Sequence, residues 1–224
     1  MSLFDVVGPI MIGPSSSHTA GAAKIGLLAR NIFHHPLKRV SIVLYNSFAD
    51  TGPGHGTLQA IVGGLLGFSM EDERIPQSLE LAKQQSIAID FSFLDDPEKH
   101  PNYVTILFDK DSASCFSVSG VSVGGGHAKI VEINDNKVEF SGRHDLLILQ
   151  YRDICGMVAL VGKLLARHHV NIAYMQISRD AVEEKALAVL KLDAPVPSIV
   201  LNELENKPEI YSAVAVPRWK EEEL

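Results

Sequence analysis

Cysteine is nearly absent from this sequence: there are two in 224 residues, Cys115 and Cys155. A metal cluster held by thiolates takes about four of them, and a disulfide-stapled secreted domain takes several close pairs, so the chain by itself supports neither. Their spacing matches no metal or redox motif, and both are expected to be structural thiols. Long apolar runs are missing as well. Nothing reaches the roughly 18 uninterrupted residues of a membrane helix, and no basic stretch leads into an apolar segment at the start, which points to the cytosol. Positive charge is in deficit, with 20 Lys and Arg against 27 Asp and Glu and a net charge of -7. That sign is wrong for a nucleic-acid surface and suits a small-molecule or protein partner.

What is present fits a globular α/β chain of two domains, with 46% apolar and 21% charged residues. Its most unusual stretch is Gly13-Pro14-Ser15-Ser16-Ser17-His18-Thr19-Ala20-Gly21. Gly13-Pro14 breaks the preceding run, the serines offer hydroxyls and caps, and Ile25, Leu28, Ala29 and Ile32 mark one face of a helix expected to begin near His18. Free N–H groups and the positive end of the helix dipole would then face the loop, as in backbone sites for phosphate or carboxylate. A second loop of the same kind is Asp50-Thr51-Gly52-Pro53-Gly54-His55-Gly56-Thr57. It follows a strand at 40–45, continued through 46–50, and precedes an apolar run at 60–68. Such strand-to-helix crossovers commonly hold ligands in α/β proteins.

The remaining chain alternates elements. A helix is expected after Pro76, with strands at 87–93 and 103–108. His34-His35-Pro36 reads as an exposed helix end, because adjacent histidines do not share a helix face. Ser117, Ser119 and Ser122 read as the wet face of a strand, Gly124-Gly125-Gly126 as a bulge or close contact, and 128–140 as a hairpin. The first domain closes near residue 142. From Asp145 the order strand, helix, strand, strand, helix, strand is expected, a ferredoxin-like βαββαβ arrangement over 145–217 with a charged tail at 218–224.

Gly-Pro-Ser-Ser-Ser-His-Thr near the start, followed by Gly-His-Gly-Thr at 54–57, resembles the beta chain of the iron–sulfur-dependent L-serine dehydratases. The likeness covers the whole chain. It implies an allosteric substrate-binding domain at 1–142 followed by an ACT domain at 145–217. It also implies a [4Fe–4S] cluster held by the cysteines of a separate alpha chain, with no metal ligand in this one. One departure stands out: Leu58 occupies a position where many members carry Asp. The Asp153-Ile154-Cys155-Gly156 turn and Asn171-Ile172 resemble the ACT effector region, so Asp153, Ile154, Gly156 and Asn171 are candidate effector contacts near an interface between two copies.

The implied reaction removes the Cα proton and the β-hydroxyl of L-serine, an open cluster iron acting on the hydroxyl, and yields pyruvate and ammonia. The carboxylate must be oriented and a proton handled, and histidine titrates in the right range. Ser15, Ser16, Ser17, Thr19, Gly54, Gly56 and Thr57 are therefore candidate substrate contacts, with His55 as the proton-handling residue and His18 as orienter or alternative base. The expected activity is that of an L-serine ammonia-lyase subunit inactive on its own. A competing expectation is a non-catalytic amino-acid sensor like the regulatory half of some phosphoglycerate dehydrogenases. A third is a purely structural dimerisation subunit.

Overall fold

The computed structural model describes residues 11–109, 115–180 and 184–219. Two compact units divide the chain, residues 1–141 and 142–224. Both mix helices with a sheet.

In the first unit the chain turns from the serine loop into a π-helical turn, Ser16–Gly21, which runs on as α1, Ala22–Phe33. The helix therefore starts two residues earlier than the expected His18, because the Ser15 carbonyl already accepts the N–H groups of Thr19 (2.9 Å) and Ala20 (3.4 Å). Ile25, Leu28, Ala29 and Ile32 form the buried face. His34 ends the helix in the left-handed region, and His34, His35 and Pro36 are exposed. Strand β1, Arg39–Tyr45, follows, with Val40, Ile42 and Leu44 wholly buried. It does not continue through 46–50. Asn46 reverses the backbone at φ 52°, and Ser47–Thr51 form the short helix α2, with a 3₁₀ turn at Gly52–His55 and then α3, Thr57–Leu65.

Helices α1 and α3 cross closely because both carry glycine at the contact. A Cβ on Gly26 would run into the Ile61 carbonyl, and one on Gly64 into the Ala23 carbonyl. A turn at Ile75–Gln77 and α4, Ser78–Gln84, lead to β2, Ala88–Leu94. Then come β3, Tyr103–Phe108, β4, Phe116–Gly124, β5, His127–Ile133, and β6, Asn136–Phe140. The sheet order is β2-β1-β3-β4-β5-β6, with β1 parallel to β2 and the other pairs antiparallel. Helix α1 lies against β4 and β5, and a Cβ on Gly120 of β4 would meet Ile25 of α1. Ser119 and Ser122 are buried, contrary to the alternation read from sequence: Ser119 pairs with Thr105 (Oγ to Oγ1, 3.0 Å), and Ser122 packs where Gly21 lacks a side chain. Gly124-Gly125-Gly126 make the β4–β5 turn, all three at positive φ and next to a register shift.

The second unit comprises β7, Asp145–Arg152, α5, Met157–Arg167, β8, Ile172–Asp180, β9, Lys185–Leu192, α6, Ser198–Glu205, and β10, Ile210–Val216. This is the βαββαβ order, on an antiparallel sheet arranged β10-β7-β9-β8. Leu147, Leu149 and Tyr151 alternate along β7 and pack with Met157, Val161 and Leu165 of α5. Both cysteines are exposed and free, so neither is the packed thiol expected from sequence. No helix among the described residues is long and apolar enough to cross a membrane.

Candidate functional site

The two polar loops meet within the first unit. Ser15 has extended backbone, and its Oγ accepts the His18 N–H at 3.1 Å, so one serine does the capping. The hydroxyls of Ser16 and Ser17, both half-buried, make no side-chain hydrogen bond among the described residues. Thr19 is buried and donates from Oγ1 to the His55 carbonyl at 3.2 Å, which straps the first loop to the second. The triglycine turn joins the same neighbourhood, since a Cβ on Gly124 would stand 3.8 Å from Ser17 Oγ.

His18 Nε2 lies 3.3 Å from Ser47 Oγ and 3.0 Å from Thr51 Oγ1. Thr51 spends its own proton on the Ser47 carbonyl at 2.8 Å, so its oxygen accepts from His18 and the imidazole proton sits on Nε2. His55 takes the opposite tautomer. Its Nδ1 lies 2.8 Å from the Thr51 carbonyl, which only accepts, so Nδ1 carries a proton and, in the neutral ring, Nε2 keeps the lone pair. Among the described residues nothing hydrogen-bonds that Nε2, and the side chain is exposed. The two rings stand 5.3 Å apart at 49°, and Phe48, fully buried, meets His18 edge-on at 5.2 Å.

Burial is the largest effect on His18 and holds it below the ordinary imidazole value of 6.5; the Ser47 backbone hydrogen bond opposes this, and positive charge on His55 adds to it. With the folded-state pKa depressed, the unfolded chain takes the proton more readily. The resulting stabilisation is complete above pH 6.5 and is lost as the pH falls through the folded-state value. Melting of the full chain from about pH 7.5 to about pH 5 is expected to show a falling midpoint whose slope His18→Gln reduces. An unchanged slope in that variant would remove His18 as a source.

Gly54 and Gly56 border open space, with no atom of the described residues within 4 Å of a Cβ on either. Thr57 is turned inward: it is fully buried against Gly52, and among the described residues its hydroxyl faces no partner. Ser47, Phe48 and Thr51 were not singled out in the sequence. The signal for Ser47 and Thr51 was the spacing 47, 51, 55 with His55, a helical i, i+4, i+8 series hidden by reading 46–50 as strand.

In the second unit Asp153, Ile154 and Gly156 share the β7–α5 turn. Asp153 Oδ2 accepts from Arg179 Nε at 2.6 Å, Ile154 is 40% exposed, and Gly156 precedes α5 at φ 93°. Asn171 lies at the other end of the sheet. Its neighbour Ile172 and Asp145, the first residue of β7, both pair with Leu192, whereas Arg152 pairs with Lys185. A strand followed by a helix returns the chain to the end where it began, so the four candidate contacts do not converge within one copy. Asn171 Nδ2 donates instead to Asp193 Oδ2 at 2.7 Å.

Among the described residues no group of three or more His, Cys, Asp or Glu is placed to hold a metal. A family profile described as "Serine dehydratase beta chain" matches residues 2–88, which contain both loops. The "Probable L-serine dehydratase, beta chain" of Bacillus subtilis (strain 168) is 38% identical over 215 residues, 96% of this chain and 97% of the relative. The "L-serine dehydratase, beta chain" of Peptoniphilus asaccharolyticus is 40% identical over 196 residues, 87% of this chain and 88% of the relative. A "D-3-phosphoglycerate dehydrogenase" of B. subtilis is 25% identical over 197 residues, 85% of this chain but 36% of that protein. Two relatives aligned over nearly their whole length, and a profile covering both histidine loops, establish that this chain belongs to the family of L-serine dehydratase beta chains.

Proposed function

We propose that this chain supplies the carboxylate-binding and proton-handling residues of a two-chain L-serine dehydratase and is inactive alone. The observation that carries this is the His55 tautomer. A backbone carbonyl fixes its proton on Nδ1 and leaves Nε2 as a bare base in open space. In this reading Ser16 and Ser17, with the N–H groups of the first helical turn, hold the substrate carboxylate, as a helix start does for anions. His55 takes the Cα proton. His18, kept neutral by burial and held by Ser47 and Thr51, orients the bound substrate. Gly54 and Gly56 leave room for it, and Thr19 keeps the loops in register. Thr57 contributes packing under the second loop.

The donors of this chain do not fit a [4Fe–4S] cluster. Its two cysteines sit in separate units, and such clusters take about four. The cluster expected for the family therefore falls to a cysteine-rich alpha chain. We assign the second unit as an ACT module that regulates or dimerises the assembly, supported by its βαββαβ order and the Gly156 turn. A single copy offers an effector Asp153, Ile154 and Gly156; Asn171 would join only across a contact between two copies.

The test is anaerobic mixing of this chain with the alpha chain, followed by pyruvate formation from L-serine. Activity is expected in the mixture alone. Full activity of the alpha chain by itself would make this chain a regulator.

A further inference from the structure

Helix α2 has five residues, too few to hold its shape in isolation, yet both histidines take their orientation from it: Ser47 and Thr51 hold His18, and the Thr51 carbonyl holds His55. Something outside α2 must fix it. Phe48 anchors its buried side, and its other anchor is Asn46, the residue at which β1 turns into α2.

Asn46 has φ 52° and ψ -123°, a conformation open to glycine and strained for any other residue. A strained non-glycine residue persists where its surroundings over-determine it. Here they do. The Asn46 side chain binds the 95–101 connection between β2 and β3 through its amide: Nδ2 donates to the carbonyls of Asp96 (2.8 Å), Lys99 (3.1 Å) and His100 (3.4 Å), and Oδ1 accepts the Asp96 N–H at 2.7 Å. Its backbone N–H reaches the Leu94 carbonyl at 3.0 Å, and the Phe48 N–H reaches the Pro101 carbonyl at 3.2 Å. The connection is itself pinned to the sheet, with Lys99 Nζ over the rings of Tyr45 (4.1 Å) and Tyr103 (4.4 Å).

We propose that Asn46 is a positioning residue for the His18–His55 pair: by clasping the 95–101 connection it fixes the entry of α2, and through Ser47 and Thr51 it sets both imidazoles. The chemical consequence rests on the proton role given to His55 above. Glycine separates the two halves of the idea, because it adopts this backbone without strain and lacks the amide. If only the turn mattered, Asn46→Gly would be neutral. With the clasp required, α2 shifts, and a misplacement of about 1 Å is enough to cost ~100-fold in rate.

The experiment compares wild type, Asn46→Gly and Asn46→Ala. The full-length chain, ¹⁵N-labelled on histidine, reports the ring tautomers by NMR. The assembled dehydratase reports kcat and KM for L-serine. We expect Asn46→Gly to fold, to lose the pure Nδ1–H signature of His55, and to lower kcat by about 10- to 100-fold with KM changed less. His34 and His35, remote from the clasp, should keep their signals. Asn46→Ala, which keeps the strain and loses the bonds, should be worse in every readout. Wild-type histidine signals in Asn46→Gly overturn the positioning claim whatever the turnover. Shifted signals with wild-type kcat uphold it and remove His55 from the proton role.

Discussion

Replacing His55 by alanine in the assembled dehydratase is expected to lower kcat by about 10²- to 10⁴-fold, the usual worth of a positioned general base. Stability should barely change, within roughly 0.5 kcal/mol, because the side chain is exposed and its one hydrogen bond goes to a carbonyl that water can satisfy. His55→Gln separates the roles further: it keeps a polar group in place and removes the base, so it should fall with alanine. Turnover and thermal melting measured on the same preparations check both statements. A rate within threefold of wild type would take the Cα proton away from His55 and leave His18 as the base.

The second large effect is on folding. Alanine is favoured over glycine in a helix by about 1 kcal/mol, so Gly26→Ala is stabilising on propensity alone. At this position the new methyl meets the Ile61 carbonyl of α3, and Gly64 is held in the same way by Ala23 across the crossing. Backbone cannot move aside as a side-chain tip can, so the helices must separate. A net loss of at least about 2 kcal/mol is expected, at the upper end of overpacking costs. Gly162 in α5 is the control, since a Cβ there meets nothing within 4 Å, and Gly162→Ala should gain roughly 0.5–1 kcal/mol. Urea unfolding of the two variants should shift the midpoints in opposite directions. Stabilisation by both would show that the crossing is not tight. The crossing also bears on the site: α1 continues the turn that carries His18, and α3 begins two residues after His55, so spreading the helices spreads the histidines.

The elements that sequence discloses are those whose burial is one-sided. Val40, Ile42 and Leu44 alternate along β1, and Ile25, Leu28, Ala29 and Ile32 recur at helical spacing along α1, because each faces a single core. Ser119 and Ser122 mislead for the complementary reason: small hydroxyls on a covered strand satisfy themselves against Thr105 or sit under a glycine, and alternation cannot tell that from a wet face. Asn46 hides α2, because its left-handed turn depends on carbonyls fifty residues away that no local pattern contains. Both histidine loops stand out in the sequence by their run of glycine, hydroxyl and histidine residues. The hydrogen-bond partners of the two rings are not legible there, since they depend on which oxygen faces which ring nitrogen, and that follows from the geometry of α2 and the 3₁₀ turn. Thr57 likewise looks like one more loop hydroxyl until the left-handed Gly56 turns it into the interior.

The most direct test of the shared site is chemical protection of His55. Diethyl pyrocarbonate attacks unprotonated imidazole nitrogen, and His55 Nε2 is bare and exposed, as the rings of His34 and His35 are exposed at the far end of α1. Brief modification of the assembled complex, with peptide mass as the readout, should label all three histidines. Saturating L-serine should slow labelling of His55 by about tenfold and leave His34 and His35 unchanged, a loss of access that follows from occupancy. Equal labelling of His55 with and without L-serine, in a complex that turns over, would place the substrate elsewhere.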